Sequence, residues 1–497
     1  MKENNLNDLP RRKFLTNATI MLGGMVLPFP TVNSFSESRA SGSTAERNSS
    51  KAAERLLLDI SKIPNFCTHE HWGSISSIGR APEQGGFRCD TIAGAQPLHP
   101  PSIWDLLLDP YEHGWMSAAD RNPNVAAKQA GQISYNQWWK NSPQESLDKF
   151  KLLNNVFVMT GGFQCTRRGI QYLYDHDIGK FSLQDWEKVD LQIQNNYADI
   201  FTWYQLAMKK AYFSELIRPV HPEYYVQEES KQSKMKELAF THTIMRIDPL
   251  MDLWQDNSPR RDALAKIVGI EPGNPATWRE FIRRLFDLAA ENHTVGIKQL
   301  QAYRRNLSYE SRTDSDVQFR GHLDSANILK FQDWVMHECC KQANERNWIH
   351  QVHVGTNNIG DSSPLPLQSL AVKYPKMKIV MIHCWPFLKE AGWLAKFIPN
   401  MYIDTCWLPI LNPEFLREGF HLWLNYVPSH KIMLGHDSTH VEMATGSSLF
   451  TREILSESLI DQQKSLKMSD ESLRRIAADL LQNNAVRLYE IGKEVNI

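Results

Sequence analysis

Along the second half of the chain, short apolar runs alternate with longer stretches in which apolar residues recur every three or four positions. "WIHQVHVG" (348–355), "KIVMIHCW" (378–385), "MYIDTCW" (401–407) and "KIMLGHDS" (431–438) are of the first kind. Rich in β-branched and aromatic residues, they predict strands buried on both faces. "PLPLQSLAVKYP", "FLKEAGWLAKFI" and "NPEFLREGFHLWLNYV" lie between them and predict helices, the first ending before Pro375. Such repetition predicts a parallel sheet covered by helices.

Upstream the pattern is looser. "TIMRIDPL" (243–250) and "TVGIKQLQA" (294–302) predict two further strands, and "DSANILKFQDWVMHECCKQANER" (324–346) a long helix. "KIPNFCTHEH" predicts the first strand. The second is the hardest to place, and the β-branched run in "NNVFVMTGGF" (154–163) is the candidate. From about 80 to 240 the chain is rich in Trp, Gln and Asn, with helical patches such as "SIWDLLLDPYEHGW". That stretch predicts a large helical insertion. "SDESLRRIAADLLQNNAVRLYEI" predicts a closing helix behind a Ser/Asp cap. The expected fold is α/β: a (β/α)8 TIM barrel over residues 51–497, with the insertion in its N-terminal half.

The first fifty residues stand outside this pattern. "LPRRKFLTNATIMLGGMVLPFP" pairs Arg11 with Arg12 ahead of a short apolar run, and it resembles a twin-arginine export signal. The run is too short and too broken by Gly and Pro for an ordinary membrane span. The Ser-rich "SFSESRASGSTAERNSSK" (34–51) reads as a disordered linker. The expected location is therefore the periplasm, with no integral membrane span after signal removal. A formal net charge of −1 over 497 residues gives no electrostatic case for nucleic acid or anionic membrane. Seven cysteines without a CxxC pair do not make a disulfide framework. The expected partner is a small-molecule substrate, and a homo-oligomer is compatible with the sequence.

The chemistry begins at "NFCTHEHW" (65–72). In an extended strand, residues i and i+2 point to the same side, so His69 and His71 can aim two imidazoles at one point. Other polar residues fall at the C-terminal ends of later strands, where barrel active sites sit: Lys298, His353, His383 and Asp437. A lysine at a buried strand end is rare, because desolvating an ammonium is costly. The imidazoles and the carboxylate are ordinary ligands of a divalent metal. His436, next to Asp437, is expected to point the other way, toward the helices.

H-x-H followed by Lys, His, His and Asp on successive strands resembles the amidohydrolase superfamily, and most closely its amidohydrolase-related branch. "GIKQLQAYRR", "HQVHVGTNN", "KIVMIHCWPFLKEAGWLAKFIPNMYIDTCW" and "KIMLGHDS" carry the likeness, which covers roughly residues 60–70 and 240–490. The resemblance implies a metal-dependent hydrolase. His69, His71 and Asp437 would hold one metal, His353 and His383 a second, and a carboxylated Lys298 would bridge them. Activated water would attack an ester, lactone or amide carbon, with Asp437 passing its proton to the leaving group. Zinc is the first choice from the mixed N/O ligands, with manganese or iron also fitting. Tyr303 and Arg304, followed by Arg305, stand at the barrel mouth as candidate substrate contacts, an Arg fork there suiting a carboxylate. Trp385, with Trp407, is a candidate pocket wall. Alternatives are a uronate isomerase with one metal, a decarboxylase (which usually begins with E-x-H) and a non-catalytic exported binding protein.

Overall fold

The computed structural model describes residues 44–72, 101–107, 141–225, 237, 239–255, 258–356 and 358–496. Residues Ser49–Ile497 form one compact unit. Eight strands follow one another in chain order, each parallel to the next: β1 Asn65–Cys67, β2 Phe213–Val220, β3 His242–Arg246, β4 Gly296–Gln299, β5 Ile349–Val354, β6 Lys378–His383, β7 Met401–Asp404 and β8 Ile432–Met433. The ring closes just past the ends of β8 and β1. There the Asp437 N–H donates to His69 O and the His71 N–H to Ser438 O, both at 2.9 Å. The fold is a TIM barrel.

Alternation along the strands builds two cores. Phe66, Ile217, Ile244, Ile349, Val380, Ile382 and Met433 point inward and fill the barrel floor, where Tyr489 stacks on Phe66 at 5.8 Å. Their neighbours in sequence, among them Met245, Ile297, Val352, Met381, Ile403 and Leu434, face the surrounding helices. Burial on both faces is why these strands read as continuous apolar runs. The helices between them, Ser325–Glu345, Leu367–Lys373, Leu388–Phe397 and Pro413–Trp423, carry one apolar face each onto that outer layer.

Two expectations are corrected. The segment "NNVFVMTGGF" holds no strand: it spans the end of helix Pro143–Phe157 and the start of helix Gly161–Tyr174. A capping box, in which Ser142 and Glu145 satisfy each other's backbone N–H, starts the first of these helices. The local β-propensity of Val156–Val158 yields to it. The second strand is instead "FSELIRPV", inside the stretch read as helical insertion. The linker expected to reach residue 50 also ends earlier, at helix Thr44–Ile60. Of "SIWDLLLDPYEHGW", Ile103–Leu107 is helical and the remainder past Leu107 lies outside the described residues, as does the proposed export signal.

Between β1 and β2 the described helices are Ile103–Leu107, Pro143–Phe157, Gly161–Tyr174, Leu183–Ala198 and Ile200–Lys210. They share an aromatic core containing Trp72, Trp104, Trp186 and Tyr204. Helix Gly161–Tyr174 crosses the long helix Val441–Leu466 at glycines: a Cβ on Gly169 would meet Glu442 O at 1.7 Å, and one on Gly446 would meet Cys165 O at 1.7 Å. At the same crossing the buried Glu442 carboxylate accepts hydrogen bonds from Tyr174 (2.7 Å), Tyr197 (2.8 Å) and Trp203 Nε1 (3.2 Å). These helices are thereby fixed to the segment that follows Asp437.

Candidate metal centre

His69, His71 and Asp437 meet at the closure of the ring, with ligand atoms all within 4.8 Å of one another. Asp437 Oδ1 lies 3.4 Å from His69 Nε2 and 3.2 Å from His71 Nε2, and Oδ2 lies 3.6 Å from His383 Nε2. Lys298 Nζ is 3.1 Å from His69 Nε2. All of these are buried except His71, about a third of whose side chain (35%) is open to solvent.

Backbone geometry brings them there. Lys298 and His353 face inward by simple alternation, on the same side as Gly296 and Ile349. His383 does not. By alternation it belongs with Ile379 and Met381, which face the helices. It carries φ 73°, in the left-handed region, and that turn of the chain swings the ring inward. Thr356, Trp407 and Asp437, with φ of 68°, 71° and 57°, share the unusual conformation past β5, β7 and β8. Such backbone costs about 1–3 kcal/mol per residue and clusters where a site demands it.

Hydrogen bonds decide which imidazole nitrogen faces the centre. The Gln351 side-chain NH2 donates to Thr68 O (2.8 Å) and to the Tyr489 hydroxyl (2.7 Å). Its Oε1 is therefore the atom 2.6 Å from His69 Nδ1, and it accepts a proton held there. His69 Nε2 is left with its lone pair toward the centre, where Lys298 Nζ is its hydrogen-bond partner. His383 Nδ1–H donates to Cys406 O at 3.0 Å, so its Nε2 keeps its lone pair as well. A second group that orients each imidazole in this way is the usual companion of a metal-binding histidine.

Electrostatics agree with that assignment. Burial lowers His69 to a pKa of about 3 and His383 to about 4, in each case helped by the nearby Lys298 charge. Both rings are neutral at pH 7. Burial opposes ionisation of Asp437, but the flanking His69 and His71 outweigh it and hold the carboxyl well below the usual range. Burial also lowers Lys298 to about 8, against the pull of Asp437.

These residues fit a divalent cation. Two imidazole lone pairs and an ionised carboxylate crowd together, and Asp437 Oδ1 and His383 Nε2 are buried without a hydrogen-bond partner. Lone pairs at that range repel unless a cation lies between them. Ligands about 2.1 Å from a tetrahedral zinc stand about 3.4 Å apart, which is the spacing of the Asp437 contacts.

The other predicted residues divide. His353 is buried with its ring 4.2 Å from that of His383. Its Nε2 meets the Thr356 hydroxyl at 2.8 Å, and Nδ1 is buried and unpartnered. The Tyr303 ring lies 4.5 Å from that of His353, tilted by 49°, and Trp407 stands edge-on to His383 at 5.1 Å. Arg304 does not join them: it is mostly exposed and pairs with Asp252. Arg305 turns into the protein and pairs with Asp333 at 2.7 Å. Trp385 stacks on Phe415 at 4.3 Å and packs on the outer core. His436 lies on the helix side, between Asn65 (2.8 Å) and Ser447 (3.1 Å).

Sequence reading missed Gln351, Thr68 and Asp404, which support the ligands, and the Arg246–Asp248 pair (2.7 Å) at the end of β3. Gln351 had a signal: it stands two residues before His353 on an otherwise apolar strand and so shares its face.

The fold is a TIM barrel with candidate metal ligands gathered at its rim. Residues 316–491 match the family model described as amidohydrolase. The chain is similar in structure to a uronate isomerase from Thermotoga maritima (15% identity, TM-score 0.68, covering 88% of this chain and 97% of that one). It is similar also to a glucuronate isomerase from Caulobacter crescentus (14%, 0.67, 93% and 98%). Protein fluG of Emericella nidulans is 25% identical over 245 residues, which is 44% of this chain but only 28% of that protein's length. The structural likenesses, at such identities, establish the shared fold.

Proposed function

We propose that the protein is a metal-dependent hydrolase that cleaves an ester, lactone or amide bond in a small molecule. One observation carries this reading: the lone-pair nitrogens of His69 and His383 converge on the ionised Asp437. His69, His71 and Asp437 would hold a divalent cation, which when bound would supply Lewis-acid polarisation of a carbonyl and a lowered pKa for water. Zinc suits the mixed nitrogen and oxygen ligands, with manganese or iron as alternatives. Asp437, ionised and fixed by its backbone bond to His69 O, takes the proton from water and returns it to the leaving group. Tyr303 and Trp407 lie against the ring of His353, and Trp407 also against that of His383.

Lys298 supports a second ion. With its pKa near 8, a fraction of the amine is neutral at physiological pH. A neutral Nζ can attack carbon dioxide, lose a proton and become a carbamate. His353 and His383, each with an unpartnered buried nitrogen, would complete that second set. A periplasmic location for this activity is supported by the resemblance of the segment around Arg11 and Arg12 to a twin-arginine export signal.

An isomerase of the uronate type is the second reading. It is favoured by the gathering of His69, His71 and Asp437 around a single point, which is a one-metal set. Metal-loaded protein assayed on lactones and N-acyl amino acids, and separately on uronates, separates the two. Hydrolysis that disappears in Asp437→Asn supports the first. Aldose–ketose interconversion of a uronate with no hydrolysis replaces it by the second.

A further inference from the structure

Directly beneath the centre lies a carboxylate that no step above uses. Asp404, at the end of β7, is fully buried. Its Oδ1 accepts the backbone N–H of Cys406 and of Gly435, each at 2.9 Å, and its Oδ2 accepts the Thr68 hydroxyl. These three partners lie just past the ends of β7, β8 and β1, the strands around the ring closure.

Each partner leads to one ligand. Cys406 O accepts the His383 Nδ1–H that leaves Nε2 bare. Gly435 is two residues before Asp437 on the same inward face. Thr68 precedes His69, and its carbonyl holds the Gln351 amide that in turn fixes the His69 tautomer. The cradle has no slack: a Cβ on Gly435 would lie 2.6 Å from Thr68 Oγ1, 2.9 Å from Cys406 Cβ and 3.0 Å from Asp404 Oδ1.

We infer that Asp404 is a positioning residue, a three-armed staple that sets His69, His383 and Asp437 at ligating distance by joining β7, β8 and β1. This rests on the reading of the centre as a metal site. Burying a carboxylate is costly unless its oxygens are well supplied with donors, and here the three donors are the three connections the site needs. Deleting the carboxylate frees Cys406 and Gly435 to shift, and the ligands move with them. The isosteric amide keeps one oxygen for both backbone N–H groups, and its NH2 can donate to the Thr68 oxygen.

The test compares wild type, Asp404→Ala, Asp404→Asn and Thr68→Val with Leu285→Ala, a buried change on helix Pro275–Glu291 that lowers stability without touching the barrel rim. Two readouts are taken on the full chain. The first is zinc affinity of the apo protein by chelator competition. Asp404→Ala should lose about 10–100-fold, the range for groups that orient metal ligands. Asp404→Asn should stay within a few-fold of wild type, and Leu285→Ala should bind as wild type does.

The second readout is the nitrogen signals of histidine-labelled apo protein. The Nδ1–H forms of His69 and His383 should be present in wild type, Asp404→Asn and Leu285→Ala, and disturbed in Asp404→Ala. If Asp404→Ala does not fold, Thr68→Val, which removes one arm, carries the test, with a smaller loss of affinity and a disturbed His69 signal expected. Wild-type affinity and unchanged imidazole signals in the folded staple variants overturn the proposal, as does equal loss of affinity in Leu285→Ala. If wild type takes up no zinc, the metal reading fails, and the imidazole signals alone decide the positioning claim.

Discussion

Gln351 offers the sharpest perturbation, because one side chain makes three buried bonds with unambiguous donors and acceptors. Gln351→Leu keeps the approximate volume and removes all three. It strands His69 Nδ1–H, Thr68 C=O and the Tyr489 hydroxyl in the barrel interior, where Gln351, His69 and Thr68 are fully buried. Each stranded group costs about 1–3 kcal/mol. Partial relaxation of the Tyr489 hydroxyl brings the sum to about 3–6 kcal/mol, a large share of the roughly 5–15 kcal/mol that holds a typical domain together. The same change frees the His69 tautomer and should weaken metal binding about 10–100-fold. Gln351→Glu separates the two effects. It retains an acceptor for His69 but sets a carboxylate oxygen against Thr68 O, so it should destabilise the fold while largely preserving affinity in the folded fraction. The assay is urea unfolding of apo protein, analysed by linear extrapolation, beside a zinc competition titration. A leucine variant that loses under about 1 kcal/mol and binds zinc as wild type does would refute the reasoning.

Gly435→Ala should destabilise by about 1–3 kcal/mol through overpacking and lower metal content per chain, because its Cβ collides with the Thr68–Asp404 contact; differential scanning calorimetry and elemental analysis check this. His350 faces helix Ser325–Glu345 beside Cys340, and burial alone lowers it to about 3. Its folded pKa is below the unfolded value, so the unfolded chain binds the extra proton, and stability falls as pH drops below about 6.5, continuing to about 3. Relative to pH 7.5, the His350 share of the loss at pH 5 is about 2 kcal/mol, and the stability gap between wild type and His350→Gln should shift by that amount in urea unfolding at the two pH values. Arg304→Ala, removing an exposed pair with Asp252, should change stability by less than about 1 kcal/mol and leave turnover intact, whereas Tyr303→Ala, beside His353, should alter KM.

The strands that could be read from the pattern are those buried on both faces. β6, β7 and the start of β8 are largely apolar, and β5, though it carries His350, Gln351 and His353, is buried along its whole length. β2 was hidden because "FSELIRPV" carries Glu215, Arg218 and Pro219, and Glu215 is occupied by a pair with His242 (2.9 Å) that local sequence cannot show. The helix Val441–Leu466 was missed for a related reason. It is buried on most of its circumference and tied to the helices before β2, so it presents no apolar stripe. At the site, Lys298 and His353 follow from strand position and alternation. His383 does not, since alternation puts it on the helix side and only its left-handed backbone brings it in. Gln351 and Asp404 both bond Thr68, which lies 283 and 336 positions away along the chain. A spacing rule within one strand has no access to such pairs.

The account rests on a cation at the closure of the barrel. Crystals of the protein grown with zinc, with anomalous diffraction recorded above and below the zinc edge, test it most directly. The expected result is an anomalous peak about 2.0–2.2 Å from His69 Nε2, His71 Nε2 and a carboxylate oxygen of Asp437. Ordered His69, His71 and Asp437 with no peak between them at saturating zinc would contradict it.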